Sequence, residues 1–421
     1  MDKESTVKEE RRTMWKKFLK DAVISLPIAI LLVVFLNIYW NRRYTYGFGD
    51  DFTMKMSLRS HLGRTVEMHE DVMAVNVSYD NMFVDKTIKR RNVGKKSITD
   101  RKKLNEFLTA LKENDGYRYI LLDVDFSAGY VSDYDDSLFQ TIASMRDIVV
   151  ATSNPASDPE MIKEKTATAI YYVRKSGDDF MKYTFMDPVT GKPSVALKMW
   201  QDMTGGTYEK TGWGYRMNGR SCYNSIIPDF RFMILDDLKH TDQERIDLVQ
   251  MLNLGTDIMT AMEYVDDYIT KFDDKIILVG DWMEHDIHDT IIGPQPGTSI
   301  IYNAYLSLVN GDNVRSIWIM LLLTMILWVE IMFMMRGLFN IRCESWEHRV
   351  EKMKSEHKLT YVVLKFLSYV LVFFTYAFPL KCFEVIIYKC NGTIVNTLIL
   401  SVIFTILSEI ISELNQYTSN N

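Results

Sequence analysis

The sequence predicts an α/β outer domain with a mixed, partly parallel sheet, joined to four transmembrane α-helices, one N-terminal and three C-terminal. Three observations lead there. Apolar stretches of about 20 residues, the length that crosses a bilayer as a helix, flank a long polar segment. Within that segment, near-continuous apolar runs of strand length alternate with helical stripes. Two of those runs stand in strand, helix, strand order, as a βαβ unit requires. The totals, 421 residues with 47% hydrophobic and 25% charged, would fit an ordinary globular protein, so the segregation carries the information rather than the average.

Residues 1–21 form a basic tail, and 22–40, "AVISLPIAILLVVFLNIYW", carry no charge. A cleaved signal peptide is the competing reading, because Lys16, Lys17 and Lys20 precede the run. Its exit, "NIYWNRRYTYG", is bulky, aromatic and basic, unlike a small-residue cleavage site and suited to a membrane interface, so an uncleaved anchor is expected. The second span, 316–335, holds Glu330 as its one charge. The third and fourth are 361–380 and 394–411, the fourth being the weakest. Between them lie a cytoplasmic loop at 336–360, an outer loop at 381–393 and a short tail at 412–421.

Lys and Arg near the span ends set the orientation. The tail holds Lys3, Lys8, Arg11, Arg12, Lys16, Lys17 and Lys20; the 336–360 loop holds Arg336, Arg342, Arg349, Lys352, Lys354 and Lys358. Both belong inside, which places 41–315 outside. That outer segment has 33 basic and 42 acidic residues. Its sign argues against nucleic acid and against anionic lipid, and favours a cation, a basic ligand or nothing in particular. Cys222 is the outer segment's one cysteine, which excludes a disulfide framework there. Cys343 falls inside, and a bridge between Cys382 and Cys390 stays open.

Along the outer segment, "DRKKLNEFLTALKEN" places apolar residues at 104, 107, 108 and 111, a helical stripe ending at Asp115-Gly116. "YRYILLDVDFS" reads as a buried strand, "DDSLFQTIASMRD" as a helix capped by Asp135 or Asp136, and "IVVATS" as a second buried strand. The proline-bearing "NPASDPEMIKEKTAT" reads as a surface excursion, and "AIYYVRKSGDDFMKYTF" and "NSIIPDFRFMIL" as hairpin strands. "TGGTYEKTGWGYRMNGR" (204–220) follows no buried strand into a helix and is expected to be a flexible loop. "KIILVGDW" is another buried strand, and "GTSIIYNAYLSLVNG" a helix.

Two places carry candidate chemistry. Asp123 and Asp125 stand two apart near the carboxyl end of a strand, so both face one way at the edge where open α/β sheets bind ligands. They would hold a cation, act as an acid and base pair, or cap helices and bond loop amides. "GDWMEHDIHDTIIGPQPG" (280–297) follows a second such strand and offers Asp281, Glu284, His285, Asp286, His288 and Asp289. It matches neither the His-Glu-x-x-His pattern nor a Cys-based zinc spacing, so a metal there stays open. Nucleotide-binding glycine motifs and a nucleophile elbow are absent. In the spans, Glu330 and Lys365 fall at similar depth. A charge in hydrocarbon is costly unless paired, so a salt bridge between them is expected, the alternative being Lys365 snorkelling to the inner face.

One span, a large outer α/β domain and three closely spaced spans form an arrangement that resembles the CHASE family, type 2, extracellular sensory modules of bacterial signalling proteins. "RYILLDVDFS", "DDSLFQTIASMRDIVVAT" and above all "KIILVGDWMEHDIHDTIIGPQPGTSIIYNAYLSLVNGD" carry the resemblance, which covers about residues 20 to 400. Asp281-Trp282 after Gly280, and Tyr302-Asn303-Ala304 in the last helix, depart from the family pattern. Family members commonly continue into a catalytic output domain, whereas this chain stops about ten residues after its last span.

The resemblance implies a sensory protein of the bacterial inner membrane, without catalytic residues or cofactor of its own. Its output would pass to a membrane or cytoplasmic signalling partner, through parts such as "RCESWEHRVEKMKSEHK". An unidentified ligand would bind near Asp123, Asp125, Asp281, His285, His288 and Asp289, and a homo-oligomer is one arrangement open to it. A membrane-anchored, metal-assisted hydrolase and a structural or assembly subunit remain the competing functions.

Overall fold

A computed structural model describes residues 3–40, 51–62, 70–88, 91–155, 157–173, 180–212, 214–233, 250–283, 285–336, 358–392, 394 and 397–419. They divide into two compact units, Arg59–Val314 and Met1–Leu58 with Arg315–Asn421. The elements open with α1 (Lys3–Trp40), α2 (Asp51–Leu62), β1 (Val72–Asn76), β2 (Asn81–Ile88), β3 (Arg91–Thr99), α3 (Arg101–Asn114), β4 (Tyr119–Leu122), α4 (Asp135–Ser144) and β5 (Ile148–Thr152). Next come β6 (Thr166–Thr168), β7 (Tyr171–Val173), β8 (Phe180–Thr184), α5 (Val195–Thr204), β9 (Tyr208–Thr211), β10 (Gly214–Met217), β11 (Arg220–Cys222), β12 (Ser225–Ile226), β13 (Gln250–Asn253) and α6 (Thr260–Tyr264). The last are β14 (Ile276–Gly280), β15 (Ile287–Thr290), β16 (Gly293–Pro296), α7 (Gly297–Val309), α8 (Ile317–Met335), α9 (Lys358–Asn391) and α10 (Leu398–Ser419).

The globular unit is built on a six-stranded sheet of order β13-β1-β14-β4-β5-β6. Every pairing in it is parallel, which corrects the expectation of a mixed sheet. Among the described residues, antiparallel strand pairs are confined to the separate small sheets β11-β10-β9, β12-β8-β7, β15-β16 and β2-β3. The reason lies in the strands themselves: β1, β4, β5 and β14 are buried along their whole length, as a parallel sheet covered on both faces demands.

Helix α3 covers part of this sheet with the stripe Leu104, Phe107, Leu108 and Leu111, and Phe107 meets Phe272 edge-on at 5.3 Å. Asp100 caps its start by accepting from the amides of Lys102 and Lys103, and Asp115 ends it at φ 53°. Neither expected aspartate caps α4 from the N-cap position, which Tyr134 occupies. Asp135, inside the first turn, instead accepts 2.6 Å bonds from the amides of Val131 and Ser132 and closes the loop after β4.

The stretch 204–220 is not a loop. It forms the meander β9-β10-β11, because Asn218 and Gly219 both take positive φ, 50° and 75°, the geometry of a tight hairpin turn. Trp282, one of the two departures from the family pattern, is buried and its indole donates to the carbonyl of Val75. At the other, Asn303 clasps the backbone of Phe232 with one accepted and one donated bond.

Among the described residues of the second unit, three helices are long and apolar enough to cross a membrane: Arg12–Ile38, Ile317–Met335 and Lys358–Cys390. The fourth expected span is an apolar stretch, Leu398–Ile411, shorter than those. α1 and α8 run antiparallel: the side chain of Asn37 contacts Met320, the Trp328 indole donates to the carbonyl of Ala22, and Arg336 pairs with Asp21. α9 continues through Pro379 to Asn391, across most of the stretch where an outer loop is expected. Cys382 and Cys390 are therefore unbridged thiols on one helix. Eight residues at 1.5 Å rise separate them by about 12 Å, beyond disulfide reach.

The structure does not bring Glu330 and Lys365 together. Lys365 Nζ donates to Tyr361 one turn away on its own exposed face, while the Glu330 carboxylate is buried and has no hydrogen-bond partner among the described residues. Equal depth fixes height along a helix but not rotation about its axis. The stretch 342–357, expected to be cytoplasmic, lies outside the described residues.

Candidate functional site

The site grows from the carboxyl ends of β1, β4, β5 and β14. β14 stops at Gly280, and the amide of Asp123 donates to the carbonyl of Val279 while that of Val77 donates to Gly280. The loop that follows is pinned to the end of β1. Asp281 accepts from the Ser78 hydroxyl at 2.5 Å and from the amides of Met283 and His285, and Asn76 accepts from the amide of Trp282. Residues 287–290 then turn into β15, which pairs with β16 and leads directly into α7.

These edges enclose a cavity of about 320 Å³. Asp123, Asp125, Asp281, His285 and His288 all line it, joined by Asp286. Tyr171, Phe180 and Tyr183, from the hairpin β7-β8, supply an aromatic wall, and Ile300 and Ile301 of α7 an aliphatic one. Asp289 is exposed and outside the lining. Alternation along β15 separates it from His288, since neighbours in a strand point to opposite faces. Glu284 lies outside the described residues.

Two glycines let the carboxylates sit where they do. A Cβ on Gly297 would collide with the Asp286 carboxylate, and one on Gly280 with the Thr298 hydroxyl. Thr298 in turn donates to Asp123 at 2.9 Å. Asp286 is oriented by His288, whose Nε2 is 3.1 Å from its Oδ1, and the His288 ring packs against Tyr171 at 5.4 Å between centroids. His285 sits 3.1 Å from Asp281 at the solvent-exposed rim, its side chain 75% exposed.

The two strand-end aspartates differ in electrostatics. Burial pushes Asp123 up to about 7, with Asp286 and Asp281 adding to the rise and Thr298 and His288 opposing it. Burial also pushes Asp125 upward, but the bonds it accepts from Ser127, with Lys96 and Arg101 nearby, outweigh that and hold it below the usual carboxylate range. Unfolded, Asp123 would ionise at 3.8; folded, it keeps its proton to about 7. In that window the folded state binds more protons, so this group makes stability fall as pH rises from 3.8 to about 7. Melting temperatures of the wild type are expected to show that fall, and Asp123→Asn to remove it. An unchanged slope in the variant would assign the titration elsewhere.

Among the described residues, no three His, Cys, Asp or Glu side chains converge so as to hold a metal ion. The cavity is thus an acidic and aromatic chamber with one carboxylate poised between charge states, placed where an α/β sheet presents ligands. Sequence reasoning missed Ser78 and Asn76, which anchor the loop, and the wall Tyr171, Phe180 and Tyr183. The one available signal for that wall was the aromatic content of "AIYYVRKSGDDFMKYTF".

A family model described as the CHASE2 domain matches residues 28–338. The chain belongs to the CHASE2 domain family. CHASE2 is a family of extracellular sensory domains, in general without enzymatic activity, and the match takes in the whole cavity. The apolar helices accompany it as a membrane protein of this family would have them. Neither the curated proteins nor the solved structures gave a match.

Proposed function

We propose that this CHASE2 protein is a membrane-anchored sensor that binds a small ligand outside the cell, in the cavity at the carboxyl edge of its parallel sheet. The observation that carries the reading is the convergence of Asp123, Asp125, Asp281, His285 and His288 on that cavity. The basic residues of the N-terminal tail and of 336–360 support an orientation with both inside a bacterial cell, the Arg59–Val314 unit outside, and Leu398–Ile411 as a fourth, short span. Binding stabilises one arrangement of the sensory unit over others, and the spans carry that bias to a signalling partner protein.

The test is thermal melting of the full chain in detergent against a metabolite panel. A ligand that raises the melting temperature is expected to lose its effect at least tenfold in His288→Ala and to keep it in Asp289→Ala, since only the former side chain lines the cavity. Equal loss in both variants, or no ligand that shifts melting, would count against the cavity as the sensory site.

A further inference from the structure

Resting on the sensory reading, we infer that the cavity's ligand is a small organic cation, an amine with an apolar or aromatic body. A volume of about 320 Å³ lies at the lower end of the range of small-molecule sites, roughly 300–1,000 Å³. Its wall is the first indication. Tyr171, Phe180 and Tyr183, all from one hairpin, line the chamber, and aromatic faces receive both apolar groups and ammonium ions.

The charges decide between these. Asp123, Asp125, Asp281 and Asp286 line the cavity, and among the described residues no Lys or Arg does. The cavity's two histidines, His285 and His288, each already sit beside an aspartate, so an anion would meet the remaining carboxylate charge without compensation. A neutral ligand would leave the carboxylates of Asp123 and Asp286, which repel, still opposing each other. A bare metal ion needs three or more convergent ligands, which the described residues do not provide. An ammonium group beside Asp123 and Asp286 satisfies both carboxylates, and its organic body fills the aromatic side.

Asp123 adds a second readout. With its pKa near 7 it is about half-protonated at neutral pH, and a cation beside it favours the ionised form, so binding releases a fraction of a proton.

Three probes of one shape and different charge test this on the full chain in detergent at neutral pH: benzylamine, benzyl alcohol and benzoate, by melting and by calorimetry in two buffers of different ionisation heat. Benzylamine is expected to bind at least tenfold more tightly than the other two, with a buffer-dependent heat that reports proton release. Asp286→Asn is expected to weaken it at least tenfold, and Asp123→Asn to weaken it and remove the buffer dependence. Both replacements keep side-chain size, and the melting of each unliganded variant establishes that it is folded. If benzyl alcohol or benzoate binds as well as benzylamine, the charge class is overturned while a small-molecule cavity stands. If none of the three binds, the inference is overturned, and the metabolite panel judges the sensory reading separately.

Discussion

Arg101→Met is expected to destabilise the sensory unit by about 3–5 kcal/mol, the usual consequence of leaving one member of a buried ion pair alone. Arg101 is fully buried at the start of α3. Its Nε lies 3.5 Å from Asp135, itself fully buried; its Nη2 donates to the carbonyl of Asp125 at 2.9 Å; and its guanidinium stacks 4.3 Å over the Phe126 ring. Burial lowers its pKa to about 10 even though Asp135 and Asp125 favour the cation. Methionine fills the space but leaves the Asp135 charge without a counterion and the Asp125 carbonyl without its donor. For a unit of this size the melting temperature should fall on the order of 10 °C. Arg101→Met combined with Asp135→Asn is expected to recover most of the loss. The amide oxygen still accepts from Val131 and Ser132, and no unpaired charge remains. No recovery in the double variant would show that stacking on Phe126, not charge, is what the arginine supplies.

Gly280→Ala is the second large expectation. The added methyl collides with the buried Thr298 hydroxyl, so the threonine must turn away and its bond to Asp123 is lost. Overpacking of this kind costs about 1–3 kcal/mol. Because the Thr298 bond favours the ionised carboxylate, its loss raises the Asp123 pKa further, and the pH at which the stability loss is complete moves upward. Thr298→Val removes the same bond without the collision and should reproduce the pH shift with a smaller stability cost. A wild-type pH profile in both variants would mean that the hydroxyl does not tune this carboxylate.

Half of the central sheet was legible in the sequence. β4, β5 and β14 announce themselves as apolar runs because their surroundings are apolar on both faces, and α3 because its stripe and both ends are written in side chains. β1 and β13 were not legible. "VMAVN" and "QMLN" are short and end in Asn, and what makes them strands is pairing with β14 and with each other, contacts remote in sequence. Of the candidate site, the shared position at the sheet edge was legible: Asp123, Asp125, Asp281, His285 and His288 line one cavity because two adjacent strands end together. Asp289 fell on the other face because the segment after Asp286 is extended, a conformation set by pairing with β16. The glycine-rich 204–220 was misread because composition shows only that turns are present, whereas Asn218-Gly219 shows where the chain reverses.

The antiparallel contact of α1 with α8 bears on the denatured state. In a bilayer these helices stay folded when the sensory unit melts, so the unfolded segment between them remains a closed loop rather than an open chain. Closing a loop of more than 100 residues removes conformational freedom worth on the order of 5 kcal/mol, the service that long-range disulfides give secreted domains. With Cys222 the lone cysteine between Arg59 and Val314, the membrane itself is the cross-link. Part of the sensory unit's stability therefore resides in contacts between α1 and α8, such as the bond from the Trp328 indole to the carbonyl of Ala22.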